Sequence, residues 1–404
     1  MTWILLISLL TLIALFVVFK IGDAFSPWML TTGVWAVILV MFLISGHLLY
    51  PLGSRFYTCV ALWVPILCAT SIITYYAFPD CPQPKSQRQS IPVNRLFFNG
   101  FFLISVVFTP LYVYGIYRVV SMFDAADMLY NLRILANSDY HLPGEGILKY
   151  VNAVNQALFI IAMWRYPKIG RWQLACIILA NILCAVAIME KGALFFMLVV
   201  TLFVLYEKGR VRLRSIVFSV LGVFFLFYGF NFLRSGGDID NARSLTDFLS
   251  VYILSPSVAF EQVHEKLTDQ YGSRTLAFFY AVLSKLGIGH YGVEQKVQEF
   301  VQVPILTNVY TVFQPFFQDF GYRGVAFFAS VYGVFTGWLY RQCRNGGAIS
   351  RCLYAYVAMT LMLQFYQENL ILSLSVLIQY IVIIGLTLQQ TIGFTLSNHP
   401  EETP

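Results

Sequence analysis

Residues 172–205 read WQLACIILANILCAVAIMEKGALFFMLVVTLFVL, two long apolar runs separated only by Glu190, Lys191 and Gly192. The hydrocarbon core of a bilayer is about 30 Å thick and takes about 20 apolar residues in a helix. Each run approaches that length, and the turn between them is short. The stretch therefore predicts two antiparallel transmembrane helices.

The composition extends this prediction to the whole chain. Of its 404 residues, 58% are hydrophobic and only 11% are charged, whereas soluble domains carry about 25% charged residues. This composition excludes a soluble globular protein. The net charge of +6 does not indicate nucleic acid, because the basic residues lie in short clusters between apolar runs. The cysteines lie in or beside apolar runs, so no disulfide framework is predicted.

The sequence predicts an all-α polytopic membrane protein, with residues 1–404 as a single integral membrane domain of about 11 transmembrane helices (10–12). The first run, from Trp3 to Phe19, lacks a basic leader and a cleavage site, so it is predicted to be retained. The predicted spans are 2–19, 28–50, 56–79, 96–117, 148–164, 172–189, 192–206, 215–233, 322–340, 352–368 and 371–394.

Four basic clusters orient these spans. Their members are Lys85, Arg88 and Arg95; Arg165, Lys168 and Arg171; Lys208, Arg210, Arg212 and Arg214; and Arg341, Arg344 and Arg351. With eleven spans all four clusters fall on one side of the membrane, which the positive-inside rule makes cytoplasmic. The protein is then a multi-pass membrane protein, and residues 118–147 and 234–320 form two extracytoplasmic loops.

The larger loop has apolar residues at helical spacing. Residues 245–253 carry one such stripe after a candidate cap, Ser244. Ser255 is predicted to cap a second helix with Pro256 at its first position, and the apolar run 275–288 is too short to span a bilayer. These segments predict interfacial helices that form a lid over the bundle.

Cations are the first candidate site residues. Lys191 lies in a turn between two spans, Arg234 directly follows the eighth predicted span, and Arg243 comes soon after it. Arginine forms bidentate hydrogen bonds to phosphate oxygens, so such a group suits a phosphate-bearing ligand. Alternatively, these side chains are anchors that extend to the membrane surface.

The approach to the ninth span contains a second candidate group. Asn308, Tyr310 and Asp319 stand among aromatic residues, a combination that suits sugar hydroxyls and sugar ring faces. The alternative is an aromatic belt at the membrane interface. The sequence has no nucleotide-binding P-loop, no zinc-ligand spacing and no serine nucleophile elbow. Asp238-Ile-Asp240 is the single formal match to a paired-aspartate metal motif, and we predict a metal-independent site without a cofactor.

Three features together resemble the Wzy-type oligosaccharide repeat-unit polymerases of O-antigen, capsule or common antigen. These are the Glu190-Lys191-Gly192 turn, the long outer loop that opens near Arg234, and the stretch 308–324 that leads into a late span. The resemblance implies a GT-C-like membrane glycosyltransferase fold in the bacterial inner membrane, with an active face on the periplasmic side. It implies a substrate linked to undecaprenyl diphosphate, and a Wzz-type chain-length co-polymerase as partner.

The resemblance also suggests roles for individual residues. Lys191, Arg234 and Arg243 would hold the diphosphate, and an acid would accept the proton of the acceptor hydroxyl. The candidates for this acid are Asp319 and Glu261. Further contacts to the diphosphate are expected from Arg118 and Arg133. The candidate substrate-binding residues are Tyr252, Asn308 and Tyr310. Some family members carry Arg-x10-Gly in two outer loops; here Arg133 fits that spacing in the first loop, and no arginine fits it in the second.

Two other functions remain open. A lipid-linked oligosaccharide flippase would act on the same substrate, and an O-antigen ligase would share the fold. Transporters usually contain internal repeats and helices broken near the membrane midplane, and neither feature is visible in this sequence.

Overall fold

The computed structural model describes residues 1–45, 48–80, 91–122, 145–188, 191–211, 250–265, 270–289, 291–292 and 298–388. The described part is 72% helical, as the composition predicts. Its helices are α1 Thr2–Val18, α2 Pro27–Ile44, α3 Ser54–Ala77, α4 Arg95–Val120, α5 Glu145–Leu148, α6 Val151–Arg165, α7 Arg171–Ala187, α8 Lys191–Glu207, α9 Ser255–Ala259, α10 Ala277–Lys285, α11 Gln314–Arg344, α12 Ala348–Met362 and α13 Leu374–Leu388. A π-helical turn, Ser250–Leu254, precedes α9, and a 3-10 turn, Phe260–Gln262, follows it. The strands β1 Val301–Gln302 and β2 Leu306–Thr307 pair antiparallel.

The helices are those of a membrane protein. Three of them, α2, α3 and α4, are long and apolar enough to cross a bilayer by length and composition. Shorter apolar helices include α1, α7, α12 and α13. Each predicted span within the described residues overlaps a helix, and the predicted span 215–233 lies outside them. The helix α12 ends at Met362, before the predicted limit of 368, and the carboxylate of Glu368 accepts backbone N–H groups of the turn that follows.

The helices α3 and α11 pack backbone to backbone. A β-carbon at Gly333 would lie 1.9 Å from Thr70 Oγ1, and one at Gly337 would lie 2.3 Å from the carbonyl oxygen of Ser71. These two glycines form a Gly-x-x-x-Gly pair, whose lack of side chains lets two membrane helices approach closely. Nearer the start of both helices, the ring of Trp63 stacks on that of Phe316 with a centroid distance of 5.7 Å.

The helix α11 is broken at Gly321. This residue has φ +62° and ψ −153°, a backbone conformation that is essentially restricted to glycine. A β-carbon at Gly324, one turn later, would lie 2.4 Å from the carbonyl oxygen of Phe316. Both glycines of the stretch Asp319–Gly324 are therefore needed to join a short first segment of α11 to its long second segment.

Basic residues gather at one end of the bundle, which we call the basic end. Arg344 pairs with Asp23 and, at 3.0 Å, with Glu207, and so joins the α1–α2 connection to the end of α8. Arg341 lies 3.4 Å from Asp80, beyond the end of α3. The described members of the four predicted clusters therefore meet at one end. We call the opposite end, with segments 250–263, 298–313 and 363–373, the loop end.

Candidate functional site

Arg55 is the cation at the centre of the loop end. It is the second residue of α3, and its Nη1 donates hydrogen bonds to the carbonyl oxygen of Glu261, at 2.5 Å, and to that of Val263. Its guanidinium carbon lies 5.1 Å from the centroid of the Phe317 ring. One side chain therefore joins α3, the segment after α9 and the first segment of α11.

The remaining donors of Arg55 are not used by the part of the chain that the structure describes. Within that part, no carboxylate lies at ion-pair distance from the guanidinium, and its Nε and Nη2 make no hydrogen bond. The side chain is half-buried. A guanidinium with Nε–H and Nη2–H groups available can bind two phosphate oxygens in parallel. The geometry is therefore suited to an oxyanion.

Glu261 occupies the N-terminus of α3. Its Oε1 accepts the backbone N–H of Phe56 at 2.6 Å. A β-carbon at Gly53 would lie 2.3 Å from its Oε2, so the carboxylate packs where only glycine leaves room. The first N–H groups of a helix lack partners within the helix and carry partial positive charge, which favours a carboxylate there. Glu261 therefore docks the segment after α9 onto α3.

Two further titratable groups complete what we call the Arg55 cluster: Arg55, Glu261, Glu265 and Tyr322. A β-carbon at Gly321 would lie 2.7 Å from Oε1 of Glu265, so this carboxylate covers the break in α11. The Tyr322 hydroxyl lies within electrostatic range of the other three members of the cluster. Tyr322 directly follows the break, and its ring packs against that of Phe317, over which the Arg55 guanidinium lies.

The predicted site residues Asp319 and Tyr310 flank the start of α11. Oδ2 of Asp319 accepts the backbone N–H of Thr275 at 2.6 Å, which attaches the turn before α10 to α11. The Tyr310 hydroxyl donates to the carbonyl oxygen of Glu299 at 2.9 Å. Burial and the charge of Glu299 raise the pKa of Tyr310, and the charge of Arg274 opposes them. Each of the two side chains therefore anchors a loop segment at the start of α11.

The buried side-chain amide of Gln364 connects the approach to α11 with α2 and α3. Oε1 of Gln364 accepts the indole N–H groups of Trp35 at 3.2 Å and Trp63 at 3.0 Å, and its Nε2 donates to Thr31 Oγ1 at 3.0 Å. Its backbone carbonyl accepts the N–H of Val312 at 2.8 Å. A buried polar network that is fully bonded fixes a single arrangement. Gln364 therefore sets the approach to α11 relative to α2 and α3.

For the other predicted site residues, the structure gives only the position and exposure, or the residue lies outside the described part of the chain. Arg118 is exposed in the last turn of α4. Tyr252, in the π-helical turn, and Asn308, after β2, are both half-buried. Lys191 begins α8, but its side chain lies outside the described residues, as do Arg133, Arg234 and Arg243 in full. These assignments stay predictions.

One predicted helix of the larger loop is present, and one predicted helix start is wrong. The run 275–288 contains α10, whose Phe279 and Val282 are exposed; its position in a lid at the membrane interface stays a prediction. Ser255 was predicted to be a cap and is instead the first helical residue. This prediction was wrong because the π-helical turn continues directly into α9, so that Leu254 takes the cap position. The Ser244 cap and residues 245–249 lie outside the described residues.

Arg55 is the residue that sequence reasoning missed as a site candidate. The available signal was its position immediately before the third predicted span, in Gly53-Ser54-Arg55, in a connection predicted to lie on the side of the membrane with few cations. Its partners are 206 and 208 residues away in sequence, and no local pattern reveals them. The described residues include no group of three or more His, Cys, Asp or Glu side chains that could hold a metal ion.

Comparison with known proteins adds one relative that matches nearly end to end. A protein of Escherichia coli (strain K12), named "Putative O-antigen polymerase", is 23% identical over 388 residues. The match covers 93% of this chain and 95% of that protein. This similarity supports the resemblance to the repeat-unit polymerases. No family model and no solved structure matches the chain.

Proposed function

We propose that this protein polymerises oligosaccharide repeat units, carried on undecaprenyl diphosphate, into O-antigen or a related long-chain surface polysaccharide. The observation that carries the proposal is the similarity to a protein named as an O-antigen polymerase over 93% of this chain. Because the similarity extends along nearly the full length of both chains, it favours a shared activity and is more than the likeness of one segment. The Arg55 cluster supports the proposal, because a half-buried guanidinium suits the departing diphosphate.

The reaction is a glycosyl transfer. The bond between the donor sugar and the diphosphate breaks, a bond to a hydroxyl of the second lipid-linked unit forms, and that hydroxyl loses its proton to a base. Negative charge develops on the departing diphosphate, and fixed cations in a water-poor site stabilise it strongly. We assign this task to Arg55, together with Lys191, Arg234 and Arg243, without a metal ion. Asp319 is our candidate for the base, with Glu261 as the alternative.

The orientation of the bundle is part of the proposal. With the basic end in the cytoplasm, the loop end faces the periplasm, and Arg55 lies near the level of the lipid headgroups because it begins a span. A lipid diphosphate occupies that level, whereas its sugars extend into the loops at 298–313. A GT-C-like fold and a Wzz-type co-polymerase that sets chain length belong to the same proposal.

Deletion of the gene tests the polymerase assignment against its rivals. We expect the long-chain polysaccharide ladder to disappear from gels of surface polysaccharide, while a single repeat unit on its final acceptor is retained. Loss of the single unit as well would contradict polymerase function and would point to a flippase or a ligase.

Substitution of Arg55 tests the site. We expect Arg55→Ala to reduce polymer formation by about 10²- to 10³-fold, the usual effect of removing one donor that stabilises developing charge. Arg55→Lys keeps a positive charge that can reach the two carbonyl oxygens, but it loses the planar pair of donors. Lys285→Ala, at an exposed cation of α10, removes the same charge at the same end and serves as the control.

The lysine variant separates a structural role from a role in transfer. If Arg55 only joins α3 to residues 261–263, Arg55→Lys should restore both the membrane level of the protein and the full ladder. We expect Arg55→Lys to reach normal membrane levels with a ladder that stays strongly reduced. Normal polymer from a folded Arg55→Ala variant would refute the assignment of Arg55 to the diphosphate.

A further inference from the structure

A groove opens between α6, α7 and α8, far from the Arg55 cluster. Its volume is about 500 Å³. Phe159 and Met163 are buried at its floor, and the side chains along its rim are half-buried or exposed. The groove is lined by Phe159, Met163, Tyr166, Leu174, Ile178, Met197, Leu198, Thr201 and Leu205. Thr201 is the one non-aromatic polar side chain in this lining, and its hydroxyl donates to the carbonyl oxygen of Met197 within its own helix at 2.7 Å.

The groove begins at the basic end and runs along the helices. Tyr166, Leu174 and Leu205 lie near the ends of α6, α7 and α8 at the basic end. Along α6 the groove extends from Tyr166 back to Phe159, a length of about 10 Å at 1.5 Å per residue. That is about a third of the hydrocarbon thickness of a bilayer. An open apolar groove at this depth is in position to receive an acyl chain of the nearer leaflet.

Two cations lie at the mouth of the groove. The Arg210 guanidinium lies 5.4 Å from the centroid of the Tyr166 ring, which lines the groove. Lys208 Nζ donates to the carbonyl oxygens of Met163, Trp164 and Tyr166 at 2.9, 2.7 and 2.7 Å. Lys208 thus uses its three donors to hold the ends of α6 and α8 together, whereas Arg210 is exposed.

The acidic residue nearest to this mouth in the sequence is bonded to another cation. The stretches 163–176 and 208–214 contain no Asp or Glu. Glu207, the last residue of α8, is bonded to Arg344 through both carboxylate oxygens, at 3.0 and 3.1 Å. The mouth therefore presents excess positive charge above an apolar groove, which complements an anionic headgroup attached to an acyl chain.

We infer that this groove binds an anionic phospholipid of the leaflet at the basic end, with one acyl chain between α6, α7 and α8 and its phosphate beside Arg210. Basic pockets between membrane helices on the cytoplasmic side characteristically bind anionic lipid headgroups. The charge of the mouth favours this occupant over a zwitterionic lipid. The site is separate from the Arg55 cluster, and the inference does not depend on the proposed function.

The test is lipid binding by the purified full-length protein in detergent, measured by native mass spectrometry with added phosphatidylglycerol or phosphatidylcholine. We expect one phosphatidylglycerol to remain bound to the wild-type protein at detergent concentrations that remove phosphatidylcholine. Arg210→Ala should weaken phosphatidylglycerol binding about fivefold, the effect expected for one cation at a membrane surface. Thr201→Trp should abolish it by filling the groove, and Lys285→Ala should leave it unchanged.

Three results would overturn the inference. Equal retention of the two lipids by the wild-type protein would show that headgroup charge does not matter. Equal phosphatidylglycerol binding by Arg210→Ala and wild type would remove the assigned contact. Absence of bound lipid from the wild-type protein would mean that another occupant, such as the chain's own apolar run 215–233, fills the groove. Arg210 is exposed, so its variant should unfold at the wild-type temperature and report on binding alone.

Discussion

Replacing Gly321 by alanine tests whether the break in α11 is required for the fold of the loop end. The residue has φ +62° and ψ −153°, and a non-glycine residue in such a region costs about 1 to 3 kcal/mol. The added β-carbon would also lie 2.7 Å from Oε1 of Glu265, so this carboxylate must move. We expect Gly321→Ala to lower the free energy of unfolding by at least the backbone cost, about 1 to 3 kcal/mol.

The assay is equilibrium unfolding of the purified protein in mixed detergent micelles, with two comparison variants. Gly33→Ala places a methyl group on α2 where no atom lies within 4 Å; it should be neutral or stabilise by up to about 1 kcal/mol, since alanine favours helix over glycine. Gly321→Ala combined with Glu265→Ala removes the crowding and keeps the backbone strain, so it should recover only part of the loss. Unfolding of Gly321→Ala at the wild-type free energy would refute the account of the break.

Three more substitutions probe buried polar contacts, each measured by the same unfolding assay against wild type. Gln364→Leu leaves two buried indole N–H groups without their acceptor and should cost about 1 to 3 kcal/mol for each; a cost below 1 kcal/mol would contradict the network. Glu368→Gln keeps the size of the side chain but replaces one oxygen that accepts backbone N–H groups. We therefore expect the free energy of unfolding to fall by about 1 to 3 kcal/mol. Wild-type stability would contradict this contact. Arg344→Ala leaves the carboxylates of Asp23 and Glu207 without their shared cation and should lower the free energy of unfolding by about 3 to 5 kcal/mol. A loss as small as that for substitution of an exposed residue would contradict this pairing.

The membrane architecture could be predicted because its causes are local. Apolar runs of the right length form helices wherever they occur in a bilayer, and short basic loops orient them. The predicted spans within the described residues accordingly overlap helices. The described members of the predicted basic clusters, such as Arg341 and Arg344, meet at one end of the bundle.

The site could be predicted only in part because its causes are contacts between distant segments. The stretch 308–324 was identified from its polar and aromatic residues, and the structure places it at the loop end. The break at Gly321, however, depends on how the first segment of α11 packs, and a glycine in an apolar helix does not by itself indicate a break. Arg55 is paired with carbonyl oxygens 206 and 208 residues later, and Gln364 binds side chains that precede it by 301 to 333 residues.

The central claim is that this chain itself joins lipid-linked repeat units, and that Arg55 takes part. The most direct measurement is the reaction of the purified protein, reconstituted in liposomes, with repeat units on undecaprenyl diphosphate, in the presence of EDTA and without nucleotide. We predict a ladder of polymer with release of undecaprenyl diphosphate, lost in Arg55→Ala and retained in Lys285→Ala. Unchanged single repeat units in the wild-type reaction, or an equal ladder from Arg55→Ala, would contradict the account.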